Sequence, residues 1–196
     1  GTVVDADDLV QEMIDTAAET TKERGKIDDF TEEEAQNLFQ MLALGALKYF
    51  LLKVEPKKRM LFNPQESIDF QGNTGPFIQY THARIQSILR KAQSQSIALS
   101  STIPALALHP SEVTLIQLLA DYPQQIQKAA NEYAPSVVAN YTYDLAKNFN
   151  SFYAECTVLN EPDADIRGFR LALIAEVAKT IKNGMNLLGI DVPERM

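Results

Sequence analysis

Residues 164–188, ADIRGFRLALIAEVAKTIKNGMNLL, decide the fold of this chain. Apolar side chains recur along them at alternating spacings of three and four residues, which places one continuous seam on a helix, at Leu171, Ile174, Ala178, Ile181, Met185 and Leu188. Gly189 follows directly and is suited to cap that helix. A long apolar seam has to be covered by neighbouring helices, so this stretch predicts a helix bundle.

The sequence before this stretch continues the helical pattern back to Pro110. Pro123 and Pro135 interrupt it, and four helices are expected from Pro110 to the end. Further back, Gly75-Pro76 opens another long helix, with the proline in the first turn, where it is tolerated. A polar loop over 93–104 separates that helix from the rest. We therefore predict an antiparallel helix bundle over residues 76–196.

The first 75 residues are also predicted to be helical. A first helix is expected over 5–24, with Gly25 as its end, because acidic residues occupy its start and apolar residues recur at four-residue spacing. A second helix begins at Thr31, which forms a capping box with Glu34. The fold class that follows is all-α.

Two segments near the end of this first part are less regular. Residues 43–52 are apolar nearly all round, which is typical of a helix that packs on two sides. Residues 54–74 break the helical pattern with prolines, a glycine and polar residues, and 67–70 could pair as a short strand. We place a domain boundary there, so residues 1–75 form one part and 76–196 the other.

The charge of the chain is unevenly distributed. The net charge of −8 argues at first against a nucleic-acid partner. However, residues 1–70 carry 15 acids and 8 bases, whereas residues 71–196 carry 11 acids and 10 bases. Residues 71–111 contain no Asp or Glu, and their cations Arg84, Arg90 and Lys91 are candidates for contacts with an RNA backbone.

Composition also limits the compartment and the chemistry. Cys156 is the only cysteine, so no intrachain disulfide can form, and a reducing, cytoplasmic location is expected. The sequence contains no apolar run of about 18 residues, so no membrane span is predicted. The two histidines, His82 and His109, lie far apart and match no metal or catalytic motif, so structural or capping roles are expected, with no metal site.

The remaining candidate motifs do not predict a reaction centre either. Cys156 has no local cation that would lower its pKa and is interpreted as a buried thiol. The glycines at 72 and 75 lack the lysine and spacing of a phosphate-binding loop and predict a tight turn. The basic run at 57–59 could touch RNA but is more typical of a solvated loop. No catalytic residue is predicted.

Residues 70–84, FQGNTGPFIQYTHAR, closely resemble a signature run of arginyl-tRNA synthetases. Further stretches that resemble this family are GTVV at 1–4, GALKYF at 45–50, AKNFNSFY at 146–153, RLAL at 170–173, LLGI at 187–190 and PERM at 193–196. Neither the H-I-G-H-type nor the K-M-S-K-S-type motif of these class I enzymes occurs. The resemblance therefore implies a C-terminal part of such an enzyme, inactive alone, with the ATP-binding and catalytic region upstream.

The resemblance also implies roles for individual parts. Residues 1–75 would be the trailing helices of the catalytic region, and 76–196 the helical anticodon-binding domain of class Ia synthetases. Tyr153 and Met196 would help form the pocket for the central anticodon base of tRNA(Arg), and the loop at 93–101 would approach the anticodon stem-loop. ATP with Mg²⁺ would serve the parent enzyme, and this part would need no cofactor. The partners implied are tRNA(Arg) and the missing catalytic region, with a monomeric state and no membrane.

Two alternatives remain open at this point. The acidic first third and the apolar segment at 43–52 could belong to a helical protein-interaction module. The helical tail of another class I synthetase, such as the cysteinyl or methionyl enzyme, would give a similar pattern, although the run at 72–84 argues against it.

Overall fold

The fold was analysed in a computed structural model, which describes residues 5–23, 27, 29–55, 57–59, 61–100, 102–103 and 108–196. Over these residues the chain is all-helical, without a strand, which confirms the predicted fold class. None of the described helices is long and apolar enough to cross a membrane. The helices are α1 Ala6–Glu23, α2 Glu32–Leu52, α3 Pro64–Ile68, α4 Gly75–Ser94, α5 Pro110–Glu132, α6 Pro135–Glu155 and α7 Ala164–Leu187.

The larger hydrophobic core lies among α4, α5, α6 and α7, and the predicted seam of α7 supplies much of it. All six seam residues are buried, and Gly189 ends the helix with a positive φ of 68°, as predicted. Helices α4 and α7 run antiparallel, because Ser100, beyond the end of α4, contacts Gly168 near the start of α7, while Gln79 near the start of α4 reaches Asp191 beyond the end of α7. These contacts confirm the bundle.

The smaller core joins α1, α2 and α3. It contains apolar side chains from all three helices, and the apolar segment of α2 links it to the larger core. Ala43 and Ala46 face the smaller core, whereas Tyr49 is fully buried in the larger one. The Tyr49 hydroxyl lies 3.0 Å from the Ala139 carbonyl oxygen, and burial raises the pKa of this tyrosine, so the hydroxyl stays protonated. The expectation that this segment packs on two sides is therefore correct, and the chain itself supplies both sides.

Helices α2 and α4 approach each other closely at the predicted domain boundary. A Cβ atom on Gly75 would lie 2.5 Å from the Gly45 carbonyl oxygen, so only glycine allows the start of α4 to pass α2 at this distance. The capping box of Thr31 and Glu34 at the start of α2 is present, and Pro76 lies in the first turn of α4. The two parts of the chain thus pack on each other directly.

The expected strand at 67–70 is wrong. Residues 64–68 form the short helix α3 instead, because the Asn63 side chain accepts hydrogen bonds from the amides of Gln65 and Glu66 and Pro64 occupies the first turn. An asparagine followed by proline is a helix-start pattern, and it outweighs the short apolar run that follows.

The helix break expected at Pro123 is also wrong. Helix α5 continues through this residue, so three helices, not four, follow from Pro110. Pro123 is exposed, and Leu115 before it and Ile126 after it both pack on the larger core. The break at Pro135 is confirmed, because α6 begins there.

Two further boundaries differ slightly from prediction, and two others cannot be compared. Helix α1 covers 6–23, and both Arg24 and the expected end at Gly25 lie outside the described residues. Helix α4 extends to Ser94, so the loop expected over 93–104 begins about two residues later. Ser101 and Pro104 of that loop also lie outside the described residues.

Candidate nucleic-acid interface

Four of the predicted site residues meet at one cavity, here called the tyrosine cavity. It has a volume of about 310 Å³ and lies between α4, the end of α6 and the C-terminal residues. Arg84, Lys91, Tyr153 and Met196 line it, although they are up to 112 positions apart in sequence. The other lining residues are Tyr80, Ala83, Ser87, Ile88 and Leu159. No lining side chain is a carboxylate, and Arg84 and Lys91 are the two cations of the lining.

Tyr153 presents an aromatic ring in the last turns of α6. Its side chain is 42% exposed, and the ring stacks on Phe149, with centroids 5.9 Å apart and planes 21° from parallel. Phe149 is fully buried in the larger core, so it fixes one side of the exposed ring. Tyr153 therefore presents part of an aromatic ring to the cavity, and Phe149 supports it.

Arg84 is held in place by aromatic rings and by an amide. Its guanidinium carbon lies 4.8 Å from the centroid of Tyr80 and 5.8 Å from that of Tyr153. Its Nη1 donates a hydrogen bond of 2.6 Å to Asn150 Oδ1, and Asn150 Nδ2 donates to Thr81 Oγ1 at 3.0 Å. This network orients the cation along the cavity wall.

The C-terminal residues 189–196, here called the tail, are tied to α4 through their backbone. Gln79 Nε2 donates to the Asp191 carbonyl at 2.8 Å, and His82 Nδ1 lies 2.9 Å from the Pro193 carbonyl oxygen. Both side chains are fully buried. Because a carbonyl can only accept, the neutral His82 ring carries its proton on Nδ1.

Ion pairs hold the end of the tail. Arg195 Nη2 lies 2.6 Å from Glu34 Oε1 on α2, and Lys182 Nζ lies 2.8 Å from Glu194 Oε1. Met196 is partly buried against the smaller core and borders the tyrosine cavity. Contacts of this kind are absent from a frayed terminus, so the tail is fixed and its last residue, Met196, forms part of the cavity wall.

Arg90 and Lys91 face different surroundings, although both were predicted to contact an RNA backbone. Arg90 Nη1 donates to the Glu194 carbonyl at 2.7 Å and so supports the tail, and this residue does not line the tyrosine cavity. Lys91 lines the cavity, is exposed, and forms no ion pair with any described carboxylate. Lys91 is thus better placed than Arg90 to meet a phosphate.

The other residues that the sequence drew attention to have structural roles. His109 caps the start of α5, His82 anchors the tail, and the thiol of Cys156 is buried, as predicted. Gly72 has a φ of 82° in the turn that precedes α4. Lys58 of the basic run pairs at 3.5 Å with Glu55 in solvent, which is worth little. Within the described part of the chain, no group of three or more His, Cys, Asp or Glu residues is placed to hold a metal ion.

Comparison with known proteins identifies the part of the chain that forms this cavity. Residues 78–196 match the family described as the DALR anticodon binding domain. The chain belongs to the DALR anticodon-binding domain family. The match includes α5, α6, α7 and the tail and nearly all of α4, so every residue that lines the tyrosine cavity lies within the DALR domain.

Curated relatives and solved structures that match nearly the whole chain are named arginine–tRNA ligase or arginyl-tRNA synthetase. The chain is 56% identical to the arginine–tRNA ligase of Parabacteroides distasonis and 55% identical to that of Flavobacterium psychrophilum, in each case over its whole length. It spans about a third of the length of these relatives. The Thermus thermophilus arginyl-tRNA synthetase superimposes with a TM-score of 0.87 at 35% identity, over 99% of this chain and 32% of that chain. The Plasmodium falciparum enzyme gives 0.81 at 28% identity, over 99% and 34%.

Sequence reasoning missed three residues that shape the cavity of the DALR domain. Asn150 orients Arg84, Tyr80 stacks against it, and Gln79 anchors the tail. Tyr80 could have been found, because it precedes Arg84 by four residues on one helix face. The partners of Asn150 and Gln79 lie 66 and 112 residues away, so no local pattern indicates them.

The tail contact of His82 predicts that stability falls in mild acid. Burial lowers the pKa of His82 below its ordinary value, so the unfolded chain, with a histidine pKa of about 6.5, binds the proton more readily than the folded one. Stability that is present above about pH 6.5 is therefore lost as the pH falls below that value. We expect urea unfolding followed between pH 7 and pH 5 to show this loss, and His82→Gln to show less of it. An equal slope in both proteins would contradict the assignment.

Proposed function

We propose that this chain is the anticodon-recognising part of an arginine–tRNA ligase and that its tyrosine cavity holds the central anticodon base of tRNA(Arg). The observation that carries the proposal is the convergence of Tyr153, Arg84 and Met196 on one cavity within the DALR domain. Proteins read single-stranded RNA loops by stacking splayed bases on aromatic rings and on guanidinium planes. The cavity offers both kinds of surface, and Arg84 adds hydrogen-bond donors to a base edge.

The distribution of charge is compatible with RNA at this face. The acidic excess belongs to the first 70 residues, whereas α4 carries Arg84 and Lys91 on a segment without Asp or Glu. We assign Lys91 to a phosphate contact and Arg84 to the base. Arg90 supports the RNA surface only indirectly, because its guanidinium holds the tail.

The reaction of the whole enzyme would be the joining of arginine to tRNA(Arg) with ATP and Mg²⁺. The turn before α4 does not fit ATP, since it lacks the lysine of a phosphate loop and its Thr74 side chain is used to cap α4. The rest of the enzyme would hold ATP, and this part would act as a monomer in the cytoplasm. The alternative of a protein-interaction module loses part of its support, because the apolar segment of α2 packs on both cores of the chain and Leu51 is its exposed apolar residue, at 50%.

Binding to anticodon hairpins tests the proposal directly. We expect the chain to bind a hairpin with the arginine anticodon about ten- to a hundredfold more tightly than one with a substituted central base, since stacking and edge contacts are each worth about 1–3 kcal/mol. Equilibrium titration with labelled hairpins at fixed salt measures both affinities. A hairpin changed only in its stem pairs is the matched control and should bind like the original. Equal affinity for the two anticodon hairpins would overturn the proposal.

A further inference from the structure

The wall of the tyrosine cavity is partly supported by residues outside the DALR domain. Met196 lines the cavity and also packs against the smaller core, which joins α1, α2 and α3. Tyr80 lines the cavity as well, and its ring meets that of Phe70 from the smaller core, with centroids 6.2 Å apart and planes 78° from parallel. The match to the DALR family begins only at residue 78. The cavity therefore rests on both parts of the chain.

Side chains of α4 and α7 hold the tail only as far as Glu194. These side chains are Gln79, His82, Arg90 and Lys182, and they contact Asp191, Pro193 and Glu194. Met196 lies two positions beyond Glu194, so these contacts alone do not fix its direction. The side chain of Arg195, between the two, is therefore the next contact that can orient the last residue of the tail.

Arg195 contacts the start of α2, in the first part of the chain. Its Nη2 lies 2.6 Å from Glu34 Oε1, and its guanidinium carbon lies 4.1 Å from the centroid of the Phe30 ring. Glu34 is itself fixed, because its Oε2 accepts hydrogen bonds from the amide and the hydroxyl of Thr31, at 2.9 and 3.2 Å. One carboxylate oxygen thus caps α2 and the other holds Arg195. A guanidinium held by a carboxylate and by an aromatic face has a defined direction.

We propose that the start of α2 positions Met196 through Arg195, so that the part of the chain before the DALR domain helps to select the central anticodon base. This inference rests on the proposed function of the tyrosine cavity. Without the contact between Arg195 and Glu34, Met196 is free to leave the cavity wall, and a base that contacts Met196 has to order the tail as it binds. Arg195 is thus a positioning residue, and its loss should reduce the affinity for the correct base most.

Glu34→Gln gives the sharpest test, because positioning and overall charge predict opposite results. Glutamine keeps the capping box when its amide oxygen accepts from Thr31, but its amide nitrogen then faces Arg195 and cannot accept a hydrogen bond. The change also removes a negative charge, which by itself would strengthen binding to RNA. We expect Glu34→Gln instead to weaken binding of the arginine-anticodon hairpin about two- to fivefold in equilibrium titration at fixed salt.

Arg195→Ala and two controls complete the set of variants. Arg195→Ala loses the contact with the Phe30 ring as well and should weaken binding about three- to tenfold. Thr31→Ala removes the capping hydroxyl but keeps the backbone amide that Glu34 accepts from, so it should leave the affinity unchanged. Lys179→Ala removes an exposed cation of α7 outside the tail and should also have no effect. Arg195 and Glu34 are 45% and 48% exposed, so all variants should fold, which urea unfolding checks.

The hairpin with a substituted central base separates the possible results. Positioning predicts that Glu34→Gln and Arg195→Ala both reduce the preference for the arginine anticodon, and that neither reduces it further once Met196 is removed. If Glu34→Gln strengthens binding or leaves it unchanged, the inference is overturned. If Arg195→Ala weakens both hairpins equally, Arg195 contacts the RNA backbone and the inference is again overturned, while the proposed function is retained. If the unaltered chain does not distinguish the two hairpins, the proposed function fails, and this inference fails with it.

Discussion

Arg170→Ala is expected to lower the free energy of unfolding by about 3–5 kcal/mol, because it leaves a buried carboxylate without its partner. The side chain of Glu112 is 3% exposed, and its Oε1 lies 2.6 Å from Arg170 Nε. Glu161, at 15% exposure, loses its partner as well. The same change frees the Thr157 carbonyl, so the segment between α6 and α7 should loosen. Urea unfolding followed by far-UV circular dichroism measures the effect.

Two controls show whether burial causes this loss. Lys179 pairs with Glu176 at 3.3 Å, but both side chains are more than half exposed, so Lys179→Ala should change stability by less than about 0.5 kcal/mol. Replacing Arg170 and Glu112 together with apolar residues of similar volume should recover part of the loss, because the fully buried charge of Glu112 is then gone and only the partly exposed Glu161 stays unpaired. A loss below about 1 kcal/mol for Arg170→Ala would mean that water reaches these carboxylates.

Local sequence patterns predicted most of the helices and their ends. The seam of α7, the capping box at Thr31 and the proline at the start of α4 depend on residues a few positions apart, and all three are confirmed. Pro123 shows the limit of this reasoning, since a proline breaks a helix only where packing does not hold the segment on both sides. The packing around Pro123 depends on residues that are distant in sequence, so a local pattern does not predict it.

The sequence predicted several residues of the candidate site, but not the long-range contacts that hold them in place. Tyr153 and Met196 were expected from family resemblance, and their position at one cavity agrees with that expectation without testing their roles. The buried anchors, Gln79 and His82, hold the tail through contacts across more than 100 residues. Arg90 and Lys91 were predicted to have the same role because both are cations, but Arg90 contacts the tail whereas Lys91 lines the cavity.

Tyr153→Ala should weaken binding of the arginine-anticodon hairpin about ten- to a hundredfold, which corresponds to the loss of one base–aromatic stack. Tyr153 is only 42% exposed and packs on Phe149, so the stability of each variant is measured as well, and the affinity loss is compared between folded proteins. Tyr153→Phe keeps the ring and should retain most of the affinity. Tyr133, which is 91% exposed at the α5–α6 turn and does not line the tyrosine cavity, provides the matched control as Tyr133→Ala.

Met196 is then removed from both the unaltered chain and Tyr153→Ala, and the affinity for the arginine-anticodon hairpin is measured for each. If Met196 and Tyr153 border the same base, the loss from removing Met196 should be smaller in Tyr153→Ala than in the unaltered chain, because the base no longer occupies the cavity fully. The central-base substitution should likewise cost little extra in the doubly altered protein. If the fold-losses of affinity from the two changes instead multiply in the double variant, Tyr153 and Met196 contact different nucleotides. Unchanged affinity for Tyr153→Ala would remove the ring from the RNA interface and leave it the structural contacts with Phe149 and Arg84 alone.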